Sequence, residues 1–367
     1  MTIVLFIAVL FFLVLVHELG HFLTAKWSKM RVDEFAIGFP PRLLSFKKGE
    51  TEYSINLLPI GGYVKILGEN GIDEITETDR TKSFGARPYW QQAVVLIAGV
   101  TMNILVAWLI FFAVAMIGTP TFVSHPTTNS HLTVVSILPD SPASEVDIPL
   151  GAIITSITPI NTTGVNTDEI APLTPASLSE IITTNPDSEF ELSYTLNSQF
   201  HTIAVSPKTG VIEENPEQAA IGLSTALVEV IKENPITAIG TATYRTIDAI
   251  YAITTGLITF FASAFTLSAD LTQVAGPIGI AGMVGEAAQL GLVSLLTFTA
   301  FISLNLAVIN LLPIPALDGG RLVFVLIEAI IRRPLDPKWT NIINLAGFIL
   351  LISLMIAVTY GDIVKLF

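Results

Sequence analysis

The sequence predicts a polytopic α-helical membrane protein with about four transmembrane helices, a β-hairpin in one loop and a small α/β domain in another. Three observations lead there. Mean hydropathy is +0.67, and 51% of the 367 residues are hydrophobic against 13% charged, a balance found in multi-pass membrane proteins. Apolar runs at about 2–24, 91–117, 292–312 and 342–360 are each near the length that crosses roughly 30 Å of hydrocarbon. Between the second and third runs lies a polar, turn-rich segment long enough to fold as a soluble domain.

The first run contains His17-Glu18-Leu19-Gly20-His21. Residues four apart share a helix face, so both imidazoles can reach one Zn²⁺ while Glu18 serves as general base. Ionisable groups at membrane depth are costly and mark function more often than packing. A secretory signal peptide fits poorly, because no Lys or Arg precedes the run and the charged motif interrupts the place of a cleavage site. Cysteine is absent, so a zinc site must use His and carboxylate.

Charge sets the expected topology. Residues 25–90 carry Lys26, Lys29, Arg31, Arg42, Lys47, Lys48, Lys65, Arg80, Lys82 and Arg87, whereas 118–291 carry only Lys208, Lys232 and Arg245 against seventeen acids. The positive-inside rule then places 25–90 in the cytoplasm and both termini and 118–291 outside. The acidic external segment accounts for most of the net charge of −13 and argues against nucleic-acid binding. A further apolar stretch, 247–267, is rich in Ser and Thr and reads as a helix on the outer interface; a fifth span is the alternative.

A catalytic zinc takes three protein ligands and a water, so the two histidines need a third. Asn310-Leu311-Leu312-Pro313-Ile314-Pro315-Ala316-Leu317-Asp318-Gly319-Gly320 offers Asp318. Two prolines so close break the helix, and irregular backbone at membrane depth implies a protein-lined cavity. His17 comes about fifteen residues into an inward-going span, roughly 22 Å along it and so in the cytoplasmic half, and Asp318 follows another inward-going span and falls on that same side. The other reading of Asp318 is a turn or a helix cap. His125, His131 and His201 lie in the external segment and read as ordinary surface or strand residues.

These motifs, together with Phe35-Ala36-Ile37-Gly38-Phe39-Pro40, Asn56-Leu57-Leu58-Pro59-Ile60-Gly61-Gly62-Tyr63-Val64 and Gly276-Pro277-Ile278-Gly279, make the chain resemble the site-2 protease family of intramembrane zinc metalloproteases. Among them it resembles the bacterial regulator of sigma E protease type. The resemblance implies that His17, His21 and Asp318 hold zinc, that Glu18 activates water, and that Asn310 helps to hold the substrate backbone. It also implies a bacterial inner-membrane location, with the active site towards the cytoplasm. The chain departs from the family's usual G-F-G-P in having Gly38-Phe39-Pro40-Pro41, and it has room for one PDZ domain rather than two.

Short β-rich segments at 131–138, 151–157, 190–196 and 202–205, with a turn entering a short helix at 139–145, resemble a circularly permuted PDZ domain. Such a domain either binds an extended peptide along a sheet edge or excludes bulky ectodomains. Ala152 stands where the resembling domains commonly have Asp. Residues 51–66 alternate polar and apolar types around Pro59-Ile60-Gly61-Gly62, a hairpin pattern that the resemblance makes membrane-associated. Tyr53, Asn56, Gly61 and Gly62 are its candidate substrate contacts, on a strand to which an unwound substrate could add; packing against the first helix is the other reading. The acidic stretch 68–82 reads as a solvated linker.

The expected domains are 1–117, the first transmembrane pair with the zinc motif and hairpin; 118–210, the PDZ-like domain; 211–291, a helical linker; and 292–367, the second transmembrane pair. The expected activity is zinc-dependent hydrolysis of a peptide bond within or beside the span of a single-pass membrane protein, an anti-sigma factor or a signal-peptide remnant. A non-proteolytic receptor or chaperone with a structural metal and a peptide-binding PDZ domain is the rival.

Overall fold

The computed structural model describes residues 1–69, 76, 77, 79–160, 173–196, 199–212, 215–266 and 275–365. Residues 70–75 and 78 of the expected linker lie outside the described residues. The chain divides into two compact units: 1–113 with 236–288 and 294–367, and 114–235 with 289–293.

The first unit is built on long apolar helices. α1 (Thr2–Trp27), α2 (Tyr89–Ile117), α5 (Pro235–Phe265), α7 (Leu292–Leu311) and α9 (Pro337–Val364) are each long and apolar enough to cross a membrane, with α5 qualifying over Pro235–Ser263. Four of these occupy the runs expected as spans. α5 covers 247–265 of the stretch expected to lie on the interface and starts a dozen residues earlier; residue 267 lies outside the described residues, and several hydroxyls of α5 bond to the helix's own backbone. Thr243, Thr246, Thr254, Thr255 and Thr259 each donate to the carbonyl four residues back. A hydroxyl satisfied by its own helix does not demand water, so the Ser and Thr content is compatible with a fifth span as well as with an interfacial helix.

Two shorter helices complete this unit, α6 (Pro277–Gln289) and α8 (Asp318–Ile331). The Gly276-Pro277-Ile278-Gly279 motif opens α6. There the Asp362 carboxylate of α9 accepts from the amides of Gly276 (3.1 Å) and Gly279 (2.8 Å), satisfying donors that a helix start leaves unpaired. α6 also lines α1: Val284 packs with Val9, Leu13 and Ile302.

The strands β1 (Val32–Lys48) and β2 (Thr51–Ile66) pair with each other. Their arrangement corrects the expected hairpin. Glu34–Ile37 pair with Glu52–Ile55 on one side and with Gly62–Lys65 on the other, while residues 42–48 pair with 51–56. The first half of β1 therefore runs between the two arms of β2, so residues 51–66 do not fold back on themselves around Pro59. The Pro40-Pro41 pair and the charges in 32–48 hid this strand, since prolines and scattered charge argue against strand pattern. Phe39, Leu43, Leu44, Phe46, Ile55 and Leu57 remain exposed, an apolar surface of the kind a lipid interface covers.

The second unit is an antiparallel sheet in the order β3-β8-β4-β5-β6-β7. Its strands are β3 (Thr119–Phe122), β4 (His131–Ile137), β5 (Ile153–Pro159), β6 (Phe190–Leu196), β7 (Gln199–Val205) and β8 (Leu223–Ile231). Leu132, Ile157, Phe190 and Leu192 are almost wholly buried and pack with Leu178 and Ile182 of a flanking helix, α4 (Pro175–Thr184). Helices α3 (Pro142–Glu145) and α4 both open on a capping box, Ser141 with Ser144 and Thr174 with Ser177, and both have proline in the first turn. The sheet runs beyond residue 210, because β8 pairs with both β3 and β4.

Candidate metal centre and active site

α1 places His17 and His21 one turn apart on one face, and both are buried. The third member arrives from α8. α7 stops at Leu311, and Pro313 and Pro315 keep the following backbone out of a helix. Ala316 takes a left-handed φ of 74°, and its amide donates to Asn344 Oδ1 of α9 at 3.3 Å, which holds the loop in that conformation. Asp318 then opens α8 without capping it, since Leu317 is the cap residue and makes no side-chain cap bond.

The Asp318 carboxylate turns to the histidines. Its Oδ2 lies 3.0 Å from His17 Nε2 and 3.3 Å from His21 Nε2, and the two Nε2 atoms are 3.1 Å apart. His21 Nδ1 donates to the Val95 carbonyl of α2 at 2.8 Å, so its Nε2 presents a lone pair to the cluster. Three atoms of ligand type converge near the edge lengths of a small tetrahedron. Ligands at about 2.0–2.2 Å from a tetrahedral Zn²⁺ stand roughly 3.3–3.6 Å from one another, so the donor set fits that ion in both chemistry and spacing. Among the described residues the cluster has three members, which leaves a fourth position for water or substrate.

Helix α2 forms the wall behind the imidazoles, and sequence reasoning missed its part. A Cβ on Gly99 would overlap His21 Nε2 and stand 2.7 Å from His17 Cε1. Asn103, one turn on, is fully buried with its amide nitrogen 3.5 Å from His17 Nδ1. The only signal in the sequence was a weak one, an amide at position 103 inside an otherwise apolar run. Gly99→Ala is expected to displace the imidazoles, destabilising the fold by about 1–3 kcal/mol through overpacking and reducing bound zinc. Metal analysis alongside thermal unfolding checks this, and an alanine variant with full zinc and unchanged stability would contradict it.

The remaining candidates divide by position. Gly62 lies in the outer run of the first-unit sheet, where a Cβ would press on the Ala36 carbonyl and approach Glu18 Cγ to 3.6 Å, so bare backbone passes close to Glu18. Gly61, with φ 110°, precedes it against the Phe39 ring. Tyr53 and Asn56 sit instead in the inner arm. Tyr53 stacks on Phe46 and meets Phe22 of α1 and Phe35, while Asn56 donates to the Gly38 carbonyl. Asn310 is half-buried in the last turn of α7. Arg321, one turn after Asp318, pairs with the Glu69 carboxylate and its carbonyl, tying α8 to the end of the sheet. His125, His131 and His201 are exposed, all in the second unit.

Comparison with known proteins agrees with this chemistry. The sequence model of Peptidase family M50 matches residues 5–354. The chain belongs to peptidase family M50. A Clostridium perfringens protein named "Putative zinc metalloprotease" is 37% identical to this peptidase over 352 residues, 96% of this chain and 95% of the relative. The regulator of sigma-W protease RasP of Bacillus subtilis is 29% identical over 444 aligned positions, spanning 100% of this chain and 99% of the relative. The zinc metalloprotease RasP of Oceanobacillus iheyensis shows the same identity and coverage. This M50 peptidase is thus a membrane-embedded zinc metalloprotease whose cofactor is Zn²⁺.

Proposed function

We propose that His17, His21 and Asp318 are the zinc ligands, that Glu18 is the general base, and that the enzyme cleaves single-span membrane proteins within or beside their transmembrane segment. The observation that carries the reading is the convergence of three donor atoms from α1 and α8 at 3.0–3.3 Å inside a helical bundle. When bound, the ion polarises the scissile carbonyl and lowers the pKa of a water to about 7. Glu18 takes the proton as the water oxygen bonds to the carbonyl carbon, then returns it to the nitrogen as the C–N bond breaks. The three-membered donor set supports catalysis over a structural metal, which four protein ligands would close.

A transmembrane helix hides its carbonyls in hydrogen bonds, so a substrate must unwind before attack. Residues 61–64 supply replacement partners: an extended substrate segment adds to this outer run and passes Glu18, with Asn310 also holding its backbone. Gly62→Val would place a branched side chain between strand and Glu18. Cleavage of a membrane-embedded substrate is expected to fall more than about tenfold with zinc retained, since misplacement of about 1 Å can cost 100-fold. Unchanged turnover would remove residues 61–64 from the substrate path.

His17 lies roughly 22 Å along α1, which with the Lys and Arg distribution supports an active site in the cytoplasmic half of a bacterial inner membrane and a second unit outside. A PDZ-like role for the second unit is supported by its antiparallel sheet and by a cavity of about 110 Å³ lined by Leu178 and Ile182 of α4 with Ile221 and Leu223. An apolar peptide side chain would suit it. The name of the Bacillus subtilis relative favours an anti-sigma factor as substrate, although signal-peptide remnants have the same single-span form. The test is reconstitution of the purified chain with a single-span substrate. Cleavage inside the span, abolished by chelator and restored by Zn²⁺, is expected; binding without cleavage would favour the receptor reading.

A further inference from the structure

An imidazole that offers Nε2 to a cation carries its ring proton on Nδ1, and a buried N–H needs an acceptor. For His21 that acceptor is the Val95 carbonyl. For His17 the facing group is the side-chain amide of Asn103, 3.5 Å from Nδ1. Asn103 is completely buried, and its Oδ1 is enclosed with no hydrogen-bond partner among the described residues. Its main-chain carbonyl accepts from Ser303 Oγ of α7 at 2.8 Å, which fixes this turn of α2. An amide in so apolar a place is costly unless it meets a specific need.

The need is legible in the protons. With the NH₂ end towards Nδ1, the His17 ring proton sits on Nε2 and points at His21 Nε2 and Asp318 Oδ2, where a cation requires a lone pair. A half-turn of the amide exchanges two ends of nearly equal size. Oδ1 then receives the Nδ1 proton, and Nε2 is released to the metal.

We propose that Asn103 is a positioning residue that accepts the Nδ1 proton of His17 and so selects the tautomer able to bind zinc. This rests on the reading of His17 as a ligand. A residue that merely fills space would be replaced by Leu without effect on the metal, whereas an acceptor is preserved by Asp.

The experiment measures zinc affinity of the full chain in detergent by competition with a chromogenic chelator. Asn103→Leu is expected to bind zinc about 10–100-fold more weakly, and Asn103→Asp to stay within about threefold of the parent, the range that outer hydrogen-bond partners of metal ligands command. Ring-¹⁵N histidine NMR of the zinc-loaded parent protein is expected to show His17 Nδ1 protonated, a readout that needs no variant to fold. Unchanged zinc affinity in Asn103→Leu, equal losses in folded Leu and Asp variants, or an unprotonated His17 Nδ1 would each overturn the proposal. His17→Ala separates the two levels: if it binds zinc as the parent does, the ligand assignment itself fails; if it loses zinc while Asn103→Leu does not, only the role of Asn103 fails.

Discussion

Glu18→Gln is expected to lower kcat/KM for a membrane-embedded substrate by about 100- to 10,000-fold while leaving bound zinc unchanged, the range for loss of a positioned general base. The amide is isosteric with the carboxylate and keeps its neighbours, so α1 and the approach of Gly62 to the side chain should persist. What it cannot do is take a proton from water at the moment of attack. Single-turnover cleavage in reconstituted vesicles, with metal content measured on the same sample, separates the two effects. Activity within tenfold of the parent at full zinc occupancy would remove Glu18 from the base role.

Asp318→Asn should act on the other quantity. Replacing the carboxylate by a neutral amide removes the negative charge that faces both imidazoles at 3.0 and 3.3 Å. Zinc affinity is expected to fall by more than about 100-fold, beyond the range typical of groups that only orient a ligand. Activity should be lost in parallel and regained in part at high zinc concentration. Because Asp318 makes no cap bond to α8, the helix should survive the change, and far-ultraviolet circular dichroism should match the parent. Retained affinity would mean that the ion is held elsewhere.

The parts of this site that were legible in the sequence were those with a fixed spacing. Helix geometry alone puts His17 and His21 on one face, and two prolines before Asp318 force the break that lets α8 start beside them. Groups that orient the ligands were not legible, because Val95 acts through a carbonyl that every residue has, and Gly99 acts through a missing side chain. Asn103 carried a weak signal as an amide inside an apolar run. The sheet of the first unit was misjudged for a related reason. Its register depends on β1 running between the arms of β2, a long-range pairing that alternation within 51–66 cannot reveal. α5 left both readings open in the sequence, because hydroxyls that count as polar can also be satisfied by the helix's own carbonyls, as they are here.

Anomalous diffraction at the zinc absorption edge from crystals of the loaded enzyme locates the metal directly. A single peak is expected at about 2.0–2.2 Å from His17 Nε2, His21 Nε2 and an Asp318 carboxylate oxygen, with the remaining position held by a non-protein ligand. A peak away from these three atoms, or one closed by a fourth protein ligand, would contradict the ligand assignment.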